Sequence, residues 1–474
     1  MVAATHAIRA AEVCASWNVH HVIRLQHDAE RPSDNSQALR TDAAGGLSFL
    51  VVLAEGDGRT VGFGVTDEDL SPESIRLALE RAREGAVVEP LALTFPRPIV
   101  DPLPGPTLYD PQVLVLPEDD FAQAAVDVLD GALSTLQEAG HVRALRISGE
   151  VHSQYEYLVV GNTQGLLVSD TTTGLLATLV VHLVQEQSRG YGSQVATHWH
   201  DFVPYDAGMA AAHEALRARG SLVLPAGDYP VVFGPRAVAA LVQDFVLPAL
   251  SLDTVAVGTS PLATRRGQVI ASPCLTMTDD ARLPGLLGSC LITGDGLPTS
   301  PTTLIERGRL LGFLADAYHA QYLLDRVGAV VPRHGLRHAS NGQSFSMRPG
   351  IFPTNITLSS PDAIPLDDLL APIEHGLYLG DLWHLTTPEG LQTGQCTGLI
   401  LGPSFVIRHG KLAEPLRPGT LRLQDNGLDL LQRLTGVSTT SQPVALATRR
   451  SLVLAPEWRC SQVHVSENVE TNKR

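Results

Sequence analysis

The residues best able to do chemistry in this chain are its closely spaced imidazoles and carboxylates. His198-Trp199-His200 sets two imidazoles two positions apart. On a strand that spacing puts both on one face, where they suit a metal pair. A zinc site needs three or four ligands, and no third is evident nearby, so His198 and His200 read as a surface or interface feature, kept as the chain's candidate metal ligands. His334 and His338 have helical spacing, but Pro332 and Gly335 argue for a loop. His213-Glu214 continues as Ala215-Leu216-Arg217, without the second histidine of an H-E-x-x-H helix, and reads as a solvated helix face. Asp279-Asp280 could be an acid pair for proton transfer, and is read first as a strand-end turn. Gly62-Phe63-Gly64 and Gly190-Tyr191-Gly192 are too short for a dinucleotide fingerprint, and no Walker loop or G-x-S-x-G elbow occurs.

Composition narrows the classes. The chain has 474 residues, 44% hydrophobic and 18% charged, with a net charge of −16. That length suggests two or three domains. The acidity opposes binding to nucleic acid, which needs clustered Lys and Arg. Cys14, Cys274, Cys290, Cys396 and Cys460 are scattered and odd in number, with no C-x-x-C, which fits a reducing compartment. Met1 to Ala15 carries His6, Arg9 and Glu12 and lacks the apolar core of a secretory signal. The most apolar runs, such as Gly174 to Val184, fall short of the roughly 18–20 residues of a membrane helix. The expectation is a cytoplasmic protein without membrane or nucleic-acid partners.

The elements that would position these residues can be read from periodicity. Ala3 to Trp17 predicts a helix, from Ile8, Ala11 and Ala15. Leu47 to Leu53 predicts a buried strand, paired through Gly56-Asp57-Gly58 with Arg59 to Val65. Ser71-Pro72-Glu73-Ser74 is a helix start, running to Gly85. Pro90 to Pro111 predicts an extended connection. A second helix opens at Pro117 and reaches Ala139-Gly140. Val142–Val151, Gln154–Gly161, Gly165–Thr172 and Gly174–Gln187 then alternate as an antiparallel meander, with a hairpin at Gly161-Asn162-Thr163-Gln164-Gly165. Tyr205 to Arg219 is another helix. Ser221 to Gly227 reads as a crossover, which divides the chain into residues 1–220, a mixed α+β domain, and 221–474, a strand-rich domain. In the latter the helix candidates are Val238–Leu250, Ala315–Arg326 and Leu366–Glu374. Ser441 to Leu452 is weakly patterned, and Glu467 to Arg474 reads as a frayed tail. The fold class is α+β.

The second half carries a family resemblance. Pro225-Ala226-Gly227-Asp228-Tyr229-Pro230-Val231-Val232, Leu275 to Asp280, Gly294 to Thr299 with Leu304 to Gly312, Pro353-Thr354-Asn355, Ile373 to Tyr378, Thr393-Gly394 and Ile407 to Lys411 follow one another in an order that resembles the TldD/PmbA family of zinc peptidases. The active branch of that family carries His-Glu-x-x-x-His on the helix after Gly234-Pro235. In this register the three positions are Gln243, Asp244 and Pro248. Gln243 is a poor zinc ligand, Pro248 has none to offer, and Asp244 has no metal-bound water to activate. Pro248 should also bend or end the helix. The family's distal cysteine ligand falls in Val444 to Leu454, which has no cysteine; Cys460, further on, reads as a buried small residue. These absences resemble the PmbA branch, also called TldE. The resemblance implies a non-catalytic subunit with no cofactor of its own, zinc lying in a TldD-type partner, and a role in peptide proteolysis or precursor-peptide processing. Two alternatives stay open: a homodimeric peptide-binding or scaffold protein, and a peptidase with a relocated metal at His198 and His200.

Overall fold

The structure is a computed structural model that describes residues 8–54, 59–67, 70–98, 105–141, 145–219, 222–338 and 343–468. Two sheets dominate it. The first, in the N-terminal half, comprises β1 (Ile8–Asp28), β2 (Ser36–Leu53), β3 (Thr60–Thr66), β4 (Val87–Val88), β5 (Leu145–Asn162), β6 (Leu167–Leu183) and β7 (Ser188–Ala196), in the order β4-β3-β2-β1-β5-β6-β7. Its helices are α1 (Pro72–Glu84), α2 (Pro111–Leu114), α3 (Glu118–Glu138) and α4 (Pro204–Arg217).

The expected helix at Ala3 to Trp17 is not present: Ile8 to Trp17 is the first half of β1, and Ala3 to Ala7 lie outside the described residues. Alanine-rich sequence favours a helix locally, but β1 is bonded along both edges, to β2 and to β5. It is also covered on both faces. Ala11 packs against α1, and Ile23 and Leu25 join the core beneath α3 and α4. Glu12, Cys14, Ser16 and Asn18 point the other way and are buried too. Polar residues buried on the second face erase the apolar–polar alternation that would have marked a strand. The meander strands were expected as four pieces; β5 and β6 each run through without a break, joined at the anticipated hairpin, where Gly165 N–H bonds Asn162 O.

The helix start at Ser71 holds: its hydroxyl accepts the Ser74 N–H (3.2 Å) and Gly85 ends α1. Glu118, Asp119 and Asp120 crowd the first turn of α3, where the helix dipole favours negative charge. α3 and α4 cross closely at Gly131 and Gly208: a Cβ on Gly208 would stand 1.9 Å from Val128 O. The Gly56-Asp57-Gly58 turn lies outside the described residues.

The second sheet has thirteen strands drawn from residues 227–467: β8 (Gly227–Phe233), β9 (Thr276–Asp279), β10 (Thr302–Glu306), β11 (Arg309–Leu310), β14 (Asn355–Ser359), β15 (His375–Leu379), β16 (Asp381–Thr386), β17 (Gln395–Leu401), β18 (Phe405–Arg408), β19 (Lys411–Pro415), β20 (Leu421–Asn426), β21 (Leu434–Ala445) and β22 (Leu452–Glu467), with β12 (Gly335–Leu336) and β13 (Gly350–Ile351) forming a separate small ladder. β22 is the hub, bonded to β8, β14, β20 and β21. The weakly patterned stretch from Ser441 to Leu452 is thus the end of β21 and its turn into β22. The helices are short: α5 (Pro235–Leu241), α6 (Leu247–Leu250), α7 (Leu252–Ala256), α8 (Ala317–Tyr322), α9 (Leu324–Val327), α10 (Leu366–Leu370) and α11 (Gly427–Gln432). The architecture is α+β. Among the described residues no helix is long and apolar enough to cross a membrane.

The buried polar face of the first sheet meets the second half of the chain. Arg337 donates to Glu12 Oε1 and to Gly294 O, Phe345 N–H to Ser16 Oγ, and Leu291 N–H to Asp170. Those partners explain how β1 can bury Glu12 and Ser16: each has a hydrogen bond that replaces water.

Candidate functional site

The segment after β8 keeps the strand, the Gly234-Pro235 turn and the helix that the sequence predicts. Pro248 does not end this helix. Its missing N–H leaves Asp244 O without the usual partner four residues on, and its ring crowds that carbonyl. The chain responds with a wider π-turn over Val242–Val246, in which Leu247 N–H bonds Val242 O five residues back, before α6 resumes. Such turns absorb a local misfit without breaking the helix. In a regular helix positions five apart stand roughly 140° apart around the axis. The wide turn brings Gln243 and Pro248 to the same side, and both line one cleft of about 250 Å³.

Apolar side chains form most of that cleft: Leu247, Pro248, Leu314, Ile351, Pro353 and Leu446. The turn between β21 and β22 closes it, with Ala447, Thr448 and Ser451. Ala447 N–H donates to Gln243 Oε1 (2.8 Å), which fixes the orientation of the amide, and Gln243 Nε2 then donates to Asp244 Oδ1 (2.8 Å). Asp244 is half-buried; burial raises its carboxyl above the usual range, opposed in part by the Gln243 amide and by His384. Ser251 also lines the cleft, and its buried hydroxyl has no hydrogen-bond partner among the described residues. The turn itself is strapped to the N-terminal sheet. Arg449 pairs with Glu150 (2.5 Å), and Arg450 pairs with Glu156 (2.8 Å) and donates to Ser344 Oγ (3.1 Å).

The donor set here does not fit zinc. Gln243 spends its amide on Ala447 and Asp244, Pro248 has no donor atom, and the turn opposite offers Ala447 and Thr448. Among the described residues no group of three His, Cys, Asp or Glu side chains is arranged to hold a metal ion. No imidazole, thiol or amine is among the cleft's lining residues; its polar groups are the Gln243 amide, the Asp253 carboxylate and the hydroxyls of Ser251, Thr254, Thr448 and Ser451. Cys460 is buried on β22, where burial pushes its thiol up to about 12, the value of an inert side chain.

The other candidates stand elsewhere. His198 and His200 are not on a strand: β7 ends at Ala196, and a single 3₁₀ turn, Trp199–Asp201, holds His200, with His198 as its cap. Their ring centroids are 5.6 Å apart; His198 meets the Thr197 hydroxyl and exposed His200 meets Asp201. His334 Nδ1 accepts the Ala315 N–H (3.1 Å), so this buried ring serves the fold, and His338 packs beside Phe352. The expected loop there contains the two-residue strand β12. Asp279 accepts the Thr354 N–H (2.9 Å) and Asp280 the Arg282 N–H (2.9 Å), the strand-end turn that the sequence suggests. His213 is exposed, but Glu214 departs from the solvated face: it accepts the Tyr191 N–H (3.1 Å), and burial raises its carboxyl. Sequence reasoning missed Ser251 and the strap of Arg449 and Arg450. The only signal was a short polar run with two arginines between two apolar strands.

Comparison with known proteins agrees with this architecture. Residues 226–467 match the family described as PmbA/TldA metallopeptidase C-terminal domain. A metalloprotease TldD homolog of Buchnera aphidicola is 24% identical over 80% of this chain and 77% of its own length. Another TldD homolog, from Haemophilus influenzae, is 25% identical over 63% of this chain and 61% of its own length. Among solved structures, TldE of Thermococcus kodakarensis superposes with a TM-score of 0.80 at 19% identity, covering 97% of both chains. A structure described as a putative modulator of DNA gyrase from Bacteroides thetaiotaomicron gives 0.78 at 19% identity, over 98% of this chain and 96% of its own. Order of motifs, fold and family match converge: the chain belongs to the PmbA/TldD family of metallopeptidase-related proteins.

Proposed function

We propose that this chain is a non-catalytic subunit of a TldD-type metallopeptidase, acting with a zinc-bearing homologue in peptide proteolysis or precursor-peptide processing. The observation that carries the reading is the cleft at Gln243 and Pro248. It keeps an open, mostly apolar volume where the resemblance puts the metal, and its donor set supplies no zinc ligand set. Apolar walls with one amide, one carboxylate (Asp253) and several hydroxyls along an edge suit a peptide: side chains bury area while the polar edge meets main-chain groups. Zinc belongs to the partner in this reading, and the chain works in the cytoplasm.

The test is the mass of the native complex isolated from the cell that makes this chain. A heteromer with a homologue that carries His-Glu-x-x-x-His and zinc is the expected result. A homodimer persisting while that homologue is present would replace this reading with that of a scaffold or peptide-binding protein.

A further inference from the structure

Beyond the strap, the polar face of the first sheet emerges into solvent and carries a cleft of about 480 Å³. Arg31, Arg146, Arg189, His27 and His182 line it. The strand register sets Arg146 directly opposite His182, and His182 directly opposite Arg189. Cations facing one another across strands repel, and His182 answers by staying neutral: burial first, then Arg189 and Arg146, hold it below the usual histidine range.

Two carboxylates share this cleft. Asp28 is fully used, with Oδ1 taking the Glu30 and Arg31 N–H groups and Oδ2 taking Arg146 (3.0 Å). Asp34 sits exposed at the rim, where the Ser33 hydroxyl reaches it (3.3 Å). Among the described residues neither Arg31 nor Arg189 has a carboxylate within ion-pair distance.

The cleft continues past Val180 and Arg189 into a second of about 270 Å³, completed by Tyr191, Arg236, Asp381 and Trp383. There the Arg236 charge is already taken, by Asp381 and by the Tyr191 ring 3.9 Å beneath it. Trp383 is 54% exposed. One end of the groove thus offers unpaired guanidinium groups and the other an aromatic surface.

We infer that this groove binds an extended acidic peptide segment, one carboxylate seated at Arg31, another at Arg189, and an apolar side chain lying against Trp383. A nucleic acid does not suit it, since a chain of net charge −16 with two free arginines cannot neutralise a run of phosphates. A lone oxyanion would leave the Trp383 end unused. The groove is separate from the cleft at Gln243, and its test uses this chain alone, so its failure leaves the question of a peptidase partner untouched.

The probe is a fluorescein-labelled hexapeptide with two glutamates followed by a tryptophan, at low salt, against the same peptide with glutamines. The full chain should bind the glutamate peptide roughly tenfold or more tighter, the range of one or two charge-assisted hydrogen bonds. Arg189→Glu should abolish that preference, while Arg83→Glu, the same charge change on exposed α1, should preserve it. Ring resonances of His182 should titrate at higher pH in the complex, because the bound carboxylate favours imidazolium. Equal binding of the two peptides, or equal loss in both variants, would overturn the assignment. Inorganic phosphate competing as tightly as the peptide would overturn it too, in favour of a simple oxyanion site.

Discussion

Replacing Arg450 by methionine should be far more damaging than the same change at Arg449, although both arginines belong to one turn and both face glutamates on β5. The Arg450 side chain is 9% exposed and its Glu156 partner 13%, whereas Arg449 is 50% exposed. Removing one member of a buried pair leaves the other charge in a poor solvent and costs about 3–5 kcal/mol. Glu156 is vulnerable in this way, since its Oε1 already has no hydrogen-bond partner among the described residues. Removing Arg449 costs about 0–1 kcal/mol, and Glu150 would keep Arg24 (3.2 Å) and His152 (3.0 Å). A chain of 474 residues has an unfolding entropy of about 1 kcal/mol/K. Arg450→Met should then lower Tm by roughly 3–5 °C and Arg449→Met by less than about 1 °C. Pairing Arg450→Met with Glu156→Leu should recover most of the loss, because an apolar replacement of both partners is often neutral. Differential scanning calorimetry on the four proteins decides it. Equal shifts in the two single variants, or a double variant that loses as much as Arg450→Met alone, would refute the claim that a buried pair anchors the strap.

Three further outcomes follow from the same physical arguments. Gln243→Ala removes the acceptor of the Ala447 N–H and should cost about 0.5–1.5 kcal/mol; hydrogen exchange at Ala447 should quicken, and unchanged protection would contradict the assigned bond. Asp295 is buried, and burial together with the Glu12 and Asp316 charges pushes its carboxyl well above the usual range. A raised carboxyl loses its contribution as pH climbs from the unfolded value toward the folded one, so Asp295→Asn should gain on the wild type as pH rises above about 4; urea midpoints that diverge the other way would reverse the sign. Gly208→Ala gains about 1 kcal/mol of helix propensity but forces a Cβ against Val128 O at 1.9 Å. Overpacking typically costs about 1–3 kcal/mol, and separating two helix backbones sits at the upper end, so the net should be a loss of roughly 1–2 kcal/mol, read by urea denaturation; a stabilised variant would contradict the close crossing.

How much of this was legible in the sequence depended on where polar residues are buried. The N-cap at Ser71, the hairpin at Asn162 and the run from β8 through Gly234-Pro235 into the next helix were readable, because each is a local signal with a local cause. β1 was not, because Glu12, Ser16 and Asn18 sit on a face buried by residues more than three hundred positions away, and partners such as Arg337 leave no trace near Ile8. The helix at Val238–Leu250 was placed correctly, but the effect of Pro248 was read as a bend or stop, when a π-turn lets the chain pass the missing N–H. At the site, the register of Gln243 and Pro248 on one cleft wall was anticipated only through the family motif; the opposing wall at Ala447 to Ser451 had no periodic pattern to announce it. The two histidines near β7 were misplaced on a strand because the sequence does not show that the ladder stops at Ala196.

The central claim is that this chain holds no catalytic zinc of its own, at the Gln243 cleft or elsewhere. It is tested most directly by loading the isolated chain with zinc, removing weakly held ions by gel filtration and counting the metal that remains. A complete protein zinc site holds its ion with an apparent binding energy of about 10–16 kcal/mol and would survive that step. The account predicts no stoichiometric zinc on this chain. One zinc retained per chain would contradict it and would return His198 and His200 to consideration as ligands.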